Sequence, residues 1–196
     1  LVFLLSFMLQ RLFSTYLALP VLNIPFVIVA LGAYLATERY TSLNTALAPL
    51  SSYLDIAGLP FLLSCFLKAA GQIVFIPHDI PGIMILAGIL TASPIMLFLT
   101  ATSWAVGTAV QFLLKGSLYQ AAADPSSFNF ILVGIALGGV FMIPSRRSYL
   151  IAAVAVAISV FVNDAVQVFC AQFQIPPFTL AFNITSNSTM NTFFIP

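Results

Sequence analysis

Two adjacent prolines inside an otherwise membrane-like chain set the tightest limit on its fold. They lie in Ile175 to Asn183, IPPFTLAFN, where a hydroxyl and two phenylalanines follow within a few positions. A proline removes a backbone donor and clashes with the carbonyl one turn back, so it ends or kinks a helix. Broken backbone at membrane depth is tolerated only where it is buried in protein or lines a wet cavity. An echo lies upstream in Leu19 to Phe26, LPVLNIPF. Pro20 stands against Pro176, Asn23 against Thr179 and Phe26 against Phe182, each 156 positions apart. Broken helices in corresponding positions point to a transport site between two repeats. The plain alternative is a kink at a helix end.

The rest of the chain sets the environment. Of 196 residues, 61% are hydrophobic and 6% charged, against about 25% charged in a soluble domain. Nothing here can solvate a globular surface, so an integral, multi-pass, all-α membrane protein is expected. The net charge of +1 implies no nucleic acid and no acidic partner. No cleavable signal pattern is present. The chain opens on Leu1 inside an apolar run, and a piece of a longer protein is expected. Cys65 and Cys170 lie in apolar runs without metal or disulfide spacing and read as buried free thiols.

Leu1 to Leu19 is apolar around Gln10 and Arg11, and Val21 to Ala36 continues apolar to an interface at Glu38 and Arg39. Thr41 to Asp55 is milder and suits the surface. Ile56 to Ile76 is a long apolar run holding Lys68, and Pro77 to Pro81 reads as a loop. Gly82 to Leu114 exceeds one span of about 20 residues; Ser93-Pro94 divides it into a short piece and a full span. Lys115 to Ser127 is polar enough for a loop. Phe128 to Ile143 and Tyr149 to Phe173 are the next spans, with Arg146 and Arg147 in a loop that favours the cytoplasmic side. Gly134 and Gly138 form a small-residue face for close helix packing.

No catalytic constellation is present: no Cys/His metal spacing, no phosphate-binding glycine loop, no nucleophile elbow. An enzyme is not expected, and no cofactor is implied. His78 beside Asp79 reads as a surface loop pair. A polar residue does recur one helical turn from an aromatic: Gln72 with Phe75, Thr179 with Phe182, and Asn129 beside Phe128 and Leu132. Each pair alone suits ordinary packing. Together, in a nearly charge-free bundle, they suit a small, flat, neutral solute whose N–H groups need acceptors. Asp164 is an acid inside an apolar span, with Asn163 and Gln167 beside it. It reads as a hydrogen-bonded structural group, with an ion-coupling role as the alternative and no obvious basic partner.

At these residues the chain resembles the urea transporter family. Gly71-Gln72-Ile73-Val74-Phe75 is like the family's GQVMF, Phe128-Asn129-Phe130-Ile131-Leu132-Val133-Gly134 like its (Y/F)N-x-x-LVG, and Ile175 to Asn183 like its LPxFTLPFN. Ile175 and Ala181 depart from that signature, and Asn23 stands where its first copy should carry Thr. After Asn183 the chain turns polar, NITSNSTMN, where the family continues an apolar helix. Asn183 and Asn187 each begin a glycosylation pattern; the first falls in the motif and is discounted, and the second applies only in a eukaryotic source.

The resemblance implies two inverted repeats with broken, half-spanning helices around a pore in each protomer. Residues 1–40 would be the tail of the first repeat and 41–196 the second. It implies facilitated diffusion of urea through a slot lined by Gln72, Phe75, Phe128, Leu132, Thr179, Phe182 and Asn23, in homotrimers in the plasma (inner) membrane, with urea and the lipid bilayer as partners. Phe75 and Phe128 would face each other across the slot, and Thr179 would present its hydroxyl to it. The alternatives are a channel for ammonia, short amides or water, or a non-transporting membrane subunit. Counting back from Asn23 by the spacing of the second copy puts the first copy's phenylalanine and glutamine before Leu1, so these 196 residues alone are expected not to transport.

Overall fold

The computed structural model describes residues 2–17, 22–37 and 52–194. Among them the chain is helical throughout, with no strand: α1 Val2–Leu17, α2 Ile24–Thr37, α3 Phe61–Gln72, α4 Asp79–Ala92, α5 Pro94–Lys115, α6 Leu118–Ala122, α7 Phe128–Ile135, α8 Arg146–Gln172 and α9 Leu180–Phe194. The expectations placed on Pro20, on Glu38 and Arg39, and on most of Thr41 to Asp55 lie outside the described residues.

Among the described residues, two helices are long and apolar enough to cross a membrane. With 22 and 27 residues, α5 and α8 measure about 33 and 40 Å at 1.5 Å per residue, against a hydrocarbon core of about 30 Å. The break at Ser93-Pro94 falls where expected. Ser93 is extended at φ −166 and ψ 125, and Pro94 opens α5, because a residue before proline avoids the helical region while proline itself suits the first helical position.

The apolar run around Lys68 and the span read from Phe128 hold helices shorter than the apolar stretches themselves. α3 has 12 residues, and α7 has eight, extended by a five-residue π-helical stretch, Ala136–Val140. Each covers about 20 Å, roughly two thirds of a bilayer core, so both are half-spanning pieces. Hydropathy alone could not mark these ends, because the residues beyond them are equally apolar. The loop reading of Pro77 to Pro81 is corrected in part: α4 begins at Asp79, and Pro81 fits its first turn, where no backbone donor is needed. The loop reading of Lys115 to Ser127 is also corrected, since it holds α6 and a 3₁₀ turn over Pro125–Ser127. Arg146 and Arg147 sit in the first turn of α8 rather than in a loop. A reciprocal cap between Ser145 and Ser148 starts that helix.

α8 shows the inside-out pattern of a helix in lipid. Leu150, Val154, Ile158, Phe161, Val168 and Phe169 are exposed, while Ser148, Ala152, Ala155, Ser159 and Asn163 are buried. Small and polar residues face the protein, where close approach and hydrogen bonding hold helices together without a hydrophobic drive. The glycine pair works the same way. A Cβ at Gly134 would run into the Ser103 side chain of α5, and one at Gly138 would come within 2.7 Å of Leu99 Cδ2 and 3.4 Å of the Ala152 Cβ. α7 is thereby clamped between α5 and α8, with Phe130, Val133 and Leu137 in the core beside Val156, Val160 and Phe182.

The two proline motifs adopt the same local backbone. Leu22 and Phe178, 156 positions apart, both have φ 44, a left-handed conformation uncommon for large side chains. α2 begins at Ile24 and α9 at Leu180, again 156 apart. The first-turn bond Val27 N–H to Asn23 C=O, 3.1 Å, repeats as Asn183 N–H to Thr179 C=O, 3.0 Å.

The polar tail after Asn183 is helical as α9. Thr189 and Thr192 donate to the carbonyls of Thr185 and Ser188, four residues back, at 2.8 and 2.9 Å, which satisfies those hydroxyls within the helix. Asn187 lies in mid-helix with its amide oxygen buried, a poor place for a glycan.

Candidate functional site

The left-handed residues Phe75 and Phe178 and the ends of the half helices α3 and α7 meet at a cavity of about 370 Å³ lined by Gln72, Phe75, Ser126, Phe128, Gln167, Pro176, Pro177 and Phe178, among others. Three sequence-predicted residues, Gln72, Phe75 and Phe128, therefore share one cavity. A larger groove of about 560 Å³ runs between the apolar outer face of α8 and α9, and none of the predicted residues lines it.

Gln72 ends α3. Beyond it the chain tightens through Val74 N–H to Gly71 C=O and Phe75 N–H to Gln72 C=O, 3.1 and 2.9 Å, and Phe75 takes φ 63. The expectation that Gln72 and Phe75 share a helix face is thus corrected: the turn, not the helix, carries the ring onto the cavity. Phe75 stacks on Phe26, centroids 6.2 Å apart and planes at 28°, and meets Phe178 edge-on at 5.8 Å and 89°. Its parallel partner is Phe26, from the upstream motif, while Phe128 borders the same cavity from the start of α7. Gln72 Oε1 is buried with no hydrogen-bond partner. A bare buried acceptor is costly unless something visits it.

The remaining predicted residues lie beside the cavity rather than on it. Thr179 is buried, and its Oγ1 accepts from Asn23 Nδ2 at 3.2 Å. Asn23 N–H in turn donates to Asn183 Oδ1 at 3.1 Å, and Asn183 Nδ2 to Thr179 C=O at 2.9 Å. The two motif copies are therefore hydrogen-bonded directly to each other. Phe182 is buried in the core, and Leu132 packs against that core, so one-turn spacing from a polar residue did not identify wall residues at these two positions.

A second cavity of about 370 Å³ touches the first at Gln72 and Pro125, with Lys68, Asp124 and Cys65 among its lining. Cys65 and Cys170 are free and buried, as expected. His78 pairs with Asp55, not with Asp79: its Nδ1 is 3.2 Å from Asp55 Oδ1, and Lys68 Nζ is 3.4 Å from Asp55 Oδ2. Burial works against the charge of Asp55, yet the hydrogen bonds from His78 and the Asp79 backbone, with Lys68, hold its carboxyl below the ordinary value. The surface reading of Asp79 is corrected, since it is buried and accepts from Ser64 Oγ at 2.8 Å and Ile56 N–H at 3.0 Å.

Sequence reasoning missed the polar cluster at Asp124 and the partner of Asp164. Lys115 Nζ lies 2.6 Å from Asp124 Oδ2 and 3.7 Å from Asp164 Oδ1. Burial again opposes the charge of Asp124, and hydrogen bonds from Lys115 and Ser126 outweigh it, so its carboxyl sits below the ordinary value. The available signal was Asp-Pro-Ser-Ser just before an apolar run, a helix-start pattern.

Comparison with known proteins identifies the family. The sequence model described as urea transporter matches residues 1–192. Over 140 residues, 65% of this chain and 35% of the relative, the chain is 28% identical to urea transporter 1 of Rattus norvegicus, and over the same shares 27% identical to urea transporter 1 of Mus musculus. The chain thus spans about a third of the length of these curated relatives. With its match extending over almost every residue, this all-helical, polytopic membrane chain belongs to the urea transporter family.

Proposed function

We propose that the chain forms part of a passive path for urea. The observation that carries this is Gln72 Oε1, a buried and unpartnered acceptor beside Phe75 on an aromatic-walled cavity. Urea is flat, neutral and rich in N–H donors. Phenyl faces cover its plane while a carbonyl oxygen takes its N–H. An ion would have to shed its water against walls that return too little, whereas urea re-forms its hydrogen bonds. Thr179 Oγ1 accepts from Asn23 and keeps its own proton to donate at the constriction.

The path rests on two inverted repeats, 1–40 and 41–196, joined where Asn23 meets Thr179. The recurrence of the 156-residue offset in helix start, backbone conformation and first-turn bond supports this. Assembly as a homotrimer in the plasma membrane belongs to the same reading and follows from the family. No chemical step is involved, so catalysis is not part of it.

The test is urea-driven volume change in liposomes holding the chain extended upstream of Leu1, since the 196 residues alone are expected not to transport, beside its Gln72→Leu variant. Selective urea flux that falls in the variant is the expected result. Flux no greater than in empty liposomes, or equal flux of ammonia, water and short amides, would replace urea with another solute or with a non-transporting subunit.

A further inference from the structure

The proposed path leaves unused the polar cluster of Asp124, Ser126, Asn129, Asn163 and Gln167, although Ser126 and Gln167 border its cavity. We infer that this cluster fixes Gln167 as a second amide acceptor, opposite in origin to Gln72, for the N–H groups of a solute in that cavity. The inference rests on the urea reading of the cavity and deepens it.

The argument is a count of protons. An ionised carboxylate only accepts. Ser126 Oγ lies 2.5 Å from Asp124 Oδ1, so its hydroxyl donates there. A hydroxyl has one proton. Toward Asn163 Nδ2 and Gln167 Nε2, each 2.6 Å away, Ser126 can therefore only accept, and both amides must present their NH₂ groups. An amide held by its nitrogen turns its carbonyl oxygen elsewhere. Asn163 Oδ1 is taken by Asn129 Nδ2 at 3.3 Å. Gln167 Oε1 has no hydrogen-bond partner among the described residues, and its side chain lines the cavity.

The same polarity repeats around the cluster. Gln111 spends Nε2 on Asp124 at 3.1 Å, and its Oε1 is buried without a partner, as is Asn129 Oδ1. One negative charge gathers the N–H groups inward and leaves the amide oxygens outward. Where that outward side meets the cavity, at Gln167, an oxygen stands ready for a donor. Gln72 comes from α3 and Gln167 from α8, so a solute with two NH₂ groups could engage both, and each N-methyl group would remove one of the two N–H donors on its nitrogen.

The experiment measures concentration-dependent flux of urea and of N,N′-dimethylurea in liposomes, with thermal unfolding in detergent, for a parent extended upstream of Leu1 and its Gln167→Leu, Ser126→Ala and Ser126→Thr variants. Gln167→Leu should raise the half-saturating urea concentration about tenfold and narrow the preference for urea over dimethylurea, with little change in unfolding temperature. Ser126→Ala, which frees the amide to turn over, should move the same way, and Ser126→Thr, which keeps the hydroxyl, should restore the parent. A parent that passes urea while Gln167→Leu keeps its half-saturation within about twofold overturns the inference and spares the urea reading. Equal loss for both solutes with a lower unfolding temperature also overturns it, making Gln167 a brace. A parent that passes no urea overturns the urea reading itself, and the inference with it.

Discussion

The upstream and downstream copies of the proline motif share a backbone and differ in their surroundings. Both carry a left-handed residue two positions before a helix, and both close the first turn with the same bond. Yet Phe26 is half-buried and stacks on Phe75, while its counterpart Phe182 is buried in the core. Asn23 donates where Thr179 accepts. The helix after the first copy, IPFVIVALGAYLAT, is apolar, and the one after the second, LAFNITSNSTMNTFF, is half polar. A turn is thus specified by local sterics, whereas the role of each side chain on it is set by what packs against it.

Truncating the two equivalent rings sharpens that contrast most. Phe182→Ala should cost about 3–5 kcal/mol of stability, the usual loss for a buried phenylalanine. Phe26→Ala should cost less than half as much but reduce solute flux, because its ring backs Phe75. Chemical unfolding in detergent, paired with liposome flux, reads both, and equal stability losses would break the contrast.

Next comes the link between the copies. Thr179→Val keeps the shape and removes the acceptor for Asn23. It also deletes the hydroxyl offered to the path, and leaving a desolvated polar solute unpaired costs about 1–3 kcal/mol, or about 5- to 150-fold in urea flux if it falls on the barrier. Unchanged flux would detach Thr179 from the path. Asn23→Thr, which makes the copies alike, should lower stability by about 1 kcal/mol through loss of the amide donor. A stabilising result would mean the copies gain from being identical.

The smallest effect is expected on α9. Thr189→Ala removes a hydroxyl that only bonds back to its own helix, so stability should shift by no more than about 0.5 kcal/mol. A larger loss would reveal a partner for that helix beyond Thr185.

How far the sequence could be read follows from where the information resides. Ser93-Pro94 announced its break because proline chemistry is local. The ends of α3 and α7 did not show, because apolar residues continue past both. Gln72, Phe75 and Phe128 were singled out by their motifs and line one cavity, but the Phe26 stack joins residues 49 positions apart, and no local spacing encodes it. Lys115 as partner of Asp124 and Asp164 was hidden in the same way: it closes α5, while Asp164 belongs to α8. Polar residues after Asn183 suggested departure from a helix. The stretch is instead helical, and the Thr189 and Thr192 hydroxyls bond within it, which periodicity of hydrophobicity cannot detect.

The length of α8 has a consequence for the lipid around it. At about 40 Å it exceeds a hydrocarbon core of about 30 Å, so its ends, from Arg146 to Gln172, reach the headgroup region or the helix tilts to fit. Gln167 sits five residues before its C-terminal end, on the part of the helix that a change in tilt displaces most. If α8 tilts with the thickness of the bilayer around it, the Gln167 wall of the cavity is the one that such a tilt would move.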